Sequence, residues 1–196
     1  MPRAAREQLI LDVAGQAFAR GDYHSASMDE IAALADVSKP MLYTYFGSKE
    51  GLYVAYIDRT GRELVDRLVR AAAADDLPLV SLRARITEFL AFVEEHRDGW
   101  TVLFRETTSS QPVAEQVAEL RGQIAAAVRR MVDDAVSGYM QLPELASDGI
   151  AHAIVGAGES LANWWLEHPG VEREQVANWY VGLVQAAVGA GLRSRS

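Results

Sequence analysis

Apolar residues recur at three- and four-residue spacing along nearly the whole 196-residue chain. No stretch shows the alternation that marks a half-buried strand. That single feature restricts the chain to an all-α fold. Thirty-one alanines add to the helical preference. A first helix is expected over 4–20, with Ile10, Val13, Ala14, Ala17 and Phe18 on one face and Gly21 as its end. Ser27-Met28-Asp29-Glu30 reads as a capping box opening a second, short helix whose buried stripe is Ile31, Leu34 and Ala35. The turn Asp36-Val37 leads to Ser38, and a third helix with Pro40 in its first turn runs to Phe46 and stops at Gly47. Ser48 caps a fourth helix that carries Leu52, Val54, Ile57, Leu64, Val65 and Leu68 toward Arg70. Further helices are expected over 79–96, 100–107, 113–137, 148–167 and 171–192, with breaks at Pro112, Pro143 and Pro169-Gly170.

Composition removes several functional classes. There is no cysteine, hence no disulfide framework, thiolate metal site or cysteine nucleophile. Nineteen basic against twenty-seven acidic side chains give a net charge of −8, which disfavours a chain-wide grip on nucleic acid or an anionic membrane. Glu7 and Asp12 interrupt any signal-peptide core, and no apolar run approaches the ~20 residues of a membrane span. A cytoplasmic location is the resulting expectation.

Three short helices within the first ~50 residues, the last two joined by a three- or four-residue turn, describe a helix-turn-helix. The third helix is the informative one. At 100° per residue, Leu42 and Phe46 share one side, opposite Pro40 and Thr44, with Met41, Tyr43 and Tyr45 toward the margins. A helix this short that turns a proline, a hydroxyl and two phenols outward fits a major groove. The tyrosine hydroxyls suit phosphate oxygens along the rims, and Pro40, Met41 and Thr44 suit base edges and thymine methyls. Lys39 and Lys49, with the helix starts near Ser27, Ser38 and Ser48, add phosphate donors. Arg3 and Arg6 are expected to form an N-terminal arm. Residues 1–50 hold five basic and seven acidic groups, so only a modest salt dependence is expected.

The segment from Ser27-Met28-Asp29-Glu30-Ile31-Ala32 through Val37-Ser38-Lys39-Pro40-Met41-Leu42-Tyr43-Thr44-Tyr45-Phe46-Gly47-Ser48-Lys49-Glu50 resembles the DNA-binding domain of the TetR family of bacterial transcriptional regulators. The likeness covers about residues 5–55. Asp36 stands where the family usually has glycine, Tyr45 where histidine is common, and Gly51 where an acidic residue is frequent. The resemblance implies a DNA-binding domain over 1–50 and a larger helical ligand-binding and dimerisation domain over 51–196. It also implies a cytoplasmic homodimer that binds double-stranded operator DNA and is released by a small effector, with repression the common mode and activation the alternative; no metal or cofactor is expected.

Within the larger domain, Leu82, Ile86, Phe89, Leu90 and Val93 form a core stripe. Phe92, His96, Trp100, Leu103 and Phe104 gather aromatics around a helix break, and Gln123, Met131 and Tyr139 follow on the next helix. They are candidates to line a pocket for a largely apolar molecule, with Arg105, Glu106, Glu159 and Asn163 as polar contacts where they face inward. Plain bundle packing is the rival reading for each. The last two helices are apolar almost all round, which points to one face buried in the chain and another in a twin. Gly156, Ser160, Trp164, Gly182, Ala186 and Gly189 are the candidates for that dimer interface. Two third helices would then read a palindrome with half-sites ~34–36 Å apart, the fourth helix linking ligand to DNA.

Two other classes of function compete. A helical adaptor or ligand-binding protein without DNA binding is opposed by the intact 38–49 segment. An enzyme is opposed by the lack of G-x-S-x-G, H-E-x-x-H and Walker motifs. His24, His96, His152 and His168 are also too scattered for a metal site.

Overall fold

The computed structural model describes residues 1–20, 23, 25–71, 77–97, 100, 111–138 and 141–193, with the side chains of all but 111–113 and 190–193. The described residues form eight α-helices and no strand: α1 Arg3–Arg20, α2 Met28–Leu34, α3 Lys39–Phe46, α4 Lys49–Arg70, α5 Pro78–Glu95, α6 Gln111–Val136, α7 Glu144–Leu166 and α8 Arg173–Arg193. The expected all-α class is what is found. The expected helix over 100–107 lies, apart from Trp100, outside the described residues, as does Gly21. Contacts divide the chain into two compact units, Met1–Arg62 with His96–Leu120, and Glu63–Glu95 with Arg121–Ser196.

The first unit is organised on α1. Ile10, Ala14, Ala17 and Phe18 are buried as expected, Leu11 joins them, and Val13 of the expected stripe is only half-buried. Met28, Ile31, Ala32, Ala35 and Leu42 bring α2 and α3 into the same core. Leu34, expected in the α2 stripe, is instead 51% exposed. Met28, Ile31, Ala32 and Ala35 span one arc of a two-turn helix, and Leu34 falls roughly 110° from its centre. Leu52, Tyr53, Tyr56 and Ile57 of α4 complete the core. The Phe18 ring meets Tyr53 edge-on at 4.8 Å, and Tyr23 meets Tyr53 at 5.0 Å. This unit therefore runs past residue 50, because the first turns of α4 supply part of its aromatic core.

In the second unit α5 packs along α8, and α7 packs on α8 and α5. Ile86, Leu90, Phe92 and Val93 of α5 and Val176, Ala177, Tyr180, Val181 and Val184 of α8 are buried in this core, with the Phe89 ring 6.1 Å from that of Tyr180. The core side of α5 is turned slightly from the expected stripe: Phe92 is fully buried and Phe89 only half-buried. The Arg67 guanidinium lies 5.5 Å from the Phe92 ring centre. It pairs there with Glu63, Glu88 and Glu95 at 3.2, 3.3 and 2.8 Å. Helix α7 starts at Glu144, ahead of the expected 148, because Pro143 takes the N-cap position, where its missing N–H costs nothing. The buried Tyr180 hydroxyl donates a 2.6 Å hydrogen bond to the Ile154 carbonyl. That contact requires a glycine one turn on, since a Cβ at Gly158 would sit 2.5 Å from the same hydroxyl.

Candidate nucleic-acid interface

Helix α2 opens at Ser27, which is extended (φ −106°, ψ 133°) and accepts the Asp29 amide on its Oγ at 3.2 Å. The helix closes as Ala35 N–H donates to the Ile31 carbonyl and Val37 N–H to the Ala32 carbonyl, both at 3.0 Å. Between these lies Asp36 with φ 51°, the only non-glycine residue at positive φ among the described ones. A left-handed residue is what the tight turn needs, and aspartate reaches that region more readily than most side chains. The turn is therefore intact despite the absent glycine.

Ser38 is extended and makes no side-chain cap bond, so its hydroxyl does not serve the expected capping role. Pro40 stands in the first turn of α3, and Gly47 (φ 74°) closes it. Leu42 is fully buried and Phe46 half-buried, so the anchoring side is the expected one. Ser27, Ser38, Lys39, Pro40, Tyr43 and Thr44 are exposed, and Met41, Tyr45 and Lys49 are half-buried beside them. Thr44 Oγ1 donates to the Pro40 carbonyl at 2.9 Å. Its proton is thus spent within the helix, leaving lone pairs and a methyl group facing outward. At the start of α4, Ser48 Oγ accepts the Gly51 amide at 2.9 Å, a cap as expected. A Cβ at Gly51 would run into the Phe46 carbonyl oxygen, which accounts locally for a glycine in the first turn of a helix.

The cations are held by neighbours. Arg3 and Arg6 do not form an extended arm: α1 begins at Arg3, and both lie in its first turns. The Arg3 guanidinium stands 5.1 Å over the Tyr45 ring. Lys49 Nζ lies 4.8 Å over Tyr23, whose hydroxyl is pushed up in pKa by burial and, secondarily, by Glu50. Lys39 Nζ pairs with Asp29 at 2.9 Å, and that hydrogen bond and charge raise the lysine pKa. The stacking of Arg3 and the carboxylate partner of Lys39 were not foreseen from sequence. Neither has a local signature, because each joins residues on different helices.

The other candidate residues divide between the two units. His96, half-buried, and Trp100, 1% exposed, belong to the first, where Trp100 N–H donates to the His96 carbonyl at 2.7 Å. Phe92, Met131, Glu159 and Asn163 belong to the second. Gln123, also there, is exposed, so its side chain does not face the core of its own unit. Leu103, Phe104, Arg105, Glu106 and Tyr139 lie outside the described residues. Glu159 pairs with Arg121 at 3.2 Å, yet burial outweighs that partner and raises the carboxyl pKa. Of the proposed interface residues, Gly156, Ser160, Trp164, Gly182 and Ala186 are exposed and Gly189 is half-buried. Trp179, 47% exposed, and Leu183, 49% exposed, join them and were missed. The one-turn spacing of Trp179, Gly182, Leu183 and Ala186 was the available signal.

Among the described residues no group of His, Asp or Glu is arranged to hold a metal, and no helix is long and apolar enough to cross a membrane.

Residues 10–56 match the family described as "Bacterial regulatory proteins, tetR family", and residues 78–187 match "Tetracyclin repressor-like, C-terminal domain". The HTH-type transcriptional activator FasR of Mycolicibacterium smegmatis is 32% identical over 168 residues, covering 86% of this chain and 75% of that protein. The HTH-type transcriptional regulator RutR of Escherichia coli K12 is 27% identical over 206 residues, covering 98% and 92%. Among solved structures, a TetR-like transcriptional regulator from Rhodococcus sp. RHA1 is 34% identical with a TM-score of 0.77, covering 96% of this chain and 98% of that one. With a helix-turn-helix whose turn holds Asp36 in the left-handed region and with an outward-facing α3 on the same residues, this chain belongs to the TetR family of DNA-binding transcriptional regulators, a family that is not one of enzymes.

Proposed function

We propose that the protein is a homodimeric, effector-responsive regulator that reads a palindromic operator with α3 and represses transcription until a small, largely apolar molecule binds the second unit. The observation that carries this reading is the exposed face of α3. Lys39, Pro40, Tyr43 and Thr44 stand outward while Leu42 locks the helix into its core. Tyr43 is 44% exposed on a helix with little else to bind, an arrangement suited to a phosphate beside the groove. The apolar outer face of α7 and α8, with Trp164 and Trp179 ring centres 6.0 Å apart, supports a twin subunit. Phe92, Met131, Glu159 and Asn163, all of the second unit, remain the proposed effector contacts. Helix α4, continuous from Lys49 to Arg70, is the proposed link from effector to reading head. An effector acts only through unequal affinity for the DNA-competent and incompetent states.

Mobility shift of a duplex selected from a random pool tests the reading. Tyr43→Ala is expected to weaken binding at least tenfold, about 1.4 kcal/mol, with the dimer intact. Unchanged affinity would remove α3 from the interface. A second reading, activation, is favoured by one observation: FasR, 32% identical, is named an activator. In vitro transcription from a promoter carrying the selected site separates the two by the sign of the change.

A further inference from the structure

We propose that Asp29 is a built-in counter-ion that withholds Lys39 from DNA phosphates, so that the reading head discriminates against duplex of the wrong sequence. The proposal rests on the DNA-reading role of α3 argued above. Asp29 lies in the first turn of α2 and Lys39 at the start of α3, with Nζ and Oδ2 2.9 Å apart. Their side chains are 71% and 45% exposed. An ion pair so open to water adds little to stability, so the fold does not explain it. Its position does: Lys39 borders the exposed face of Pro40, Tyr43 and Thr44.

Cations are scarce in this head. Lys39 is one of five basic residues in 1–50 and one of two lysines in the chain. A free lysine at this place would grip any phosphate, whatever the base sequence. Paired with Asp29, it must exchange a carboxylate for a phosphate and leave the carboxylate facing a polyanion. On unrelated duplex nothing offsets that exchange. On the operator, base contacts from Pro40, Met41 and Thr44 seat α3 with Lys39 still on Asp29, so the exchange is not called for there. The pair thus subtracts more from sequence-independent affinity than from specific affinity, and specificity is that difference.

The test measures full-length wild type, Asp29→Asn, Lys39→Gln, the double variant and Glu30→Gln against the selected duplex and an unrelated duplex between 50 and 200 mM salt. Asp29→Asn is expected to steepen the log K against log salt slope on unrelated duplex by about 0.9, the value of one released phosphate contact. The ratio of affinities at 50 and 200 mM then grows about threefold, and the preference for the selected duplex falls. In the Lys39→Gln background the same substitution should change neither, and Glu30→Gln should leave the preference in place. Asp29→Ser serves as a second variant, with circular dichroism to verify folding. An unchanged slope in both Asp29 variants overturns the proposal. So does an equal rise in the Lys39→Gln background, which would reflect net charge alone. Failure of the underlying reading looks different: wild type would then prefer no duplex at all.

Discussion

Asp36 carries the turn between α2 and α3 at φ 51°, where an L-residue pays roughly 1–2 kcal/mol relative to glycine. Asp36→Gly should therefore hold or raise stability, whereas Asp36→Val should lose about 1–2 kcal/mol and loosen operator binding. Urea unfolding and mobility shift measure the two effects. Glu159 makes a pH prediction. Burial raises its folded pKa above the ordinary 4.5 against the pull of Arg121. A raised carboxyl contributes stability that is fully present below pH 4.5 and is lost as pH climbs through the folded value. Wild type should thus lose stability relative to Glu159→Gln as pH rises above 4.5, followed by thermal unfolding over a pH series; parallel curves would contradict it. Local chemistry of this kind was readable in the sequence where neighbours in the chain decide it. Ser48, Pro40 and Leu42 behave as their positions dictate, and Asp36 takes the backbone its side chain tolerates. Ser38 makes no side-chain cap bond: Pro40 at the second helical position has no N–H to offer, and the Met41 amide bonds to the Ser38 carbonyl.

At the scale of elements, α7 and α8 each bury one face and expose apolar side chains on another, among polar ones. Ala151, Ile154, Gly158, Ala162 and Trp165 turn inward, and Gly156, Ser160 and Trp164 outward. On α8 the outward apolar residues are Trp179, Gly182, Leu183 and Ala186, with Asn178 and Gln185 exposed beside them. Trp179→Glu puts a charge in the middle of the proposed twin contact. Sedimentation should then show a shift to monomer and mobility shift a loss of affinity for a full palindrome, with helicity unchanged. A variant that stays dimeric would move the interface elsewhere. The two-faced character of these helices was legible because a helix with no polar side has few places to go. Which face turned inward was not, since Gly156 and Gly158 look alike in sequence. Only the Tyr180 hydroxyl bonded to Ile154 makes Gly158 the inner one. The α5 register slipped for a similar reason: Phe89 and Phe92 are equivalent to a periodicity argument until Arg67 is found lying over Phe92.

For the whole molecule, the net charge of −8 divides into −2 over residues 1–50 and −6 over 51–196. With Lys39, Lys49 and Arg3 each beside an internal partner, few cations stand ready for phosphate. The slope of log K against log salt on the operator should be shallower than about −6, measured by titration across salt; a steeper one would require ionic contacts beyond those described here. The first unit also has a consequence for anyone treating the reading head as a detachable part. Its core borrows Leu52, Tyr53, Tyr56 and Ile57 from α4, and it includes residues 96–120. A graft that ends at residue 50 would therefore carry the reading surface of α3 away from the rings that hold α1 in place. Operator specificity in this protein is not portable as a cassette: it travels with the first turns of α4, or it does not travel.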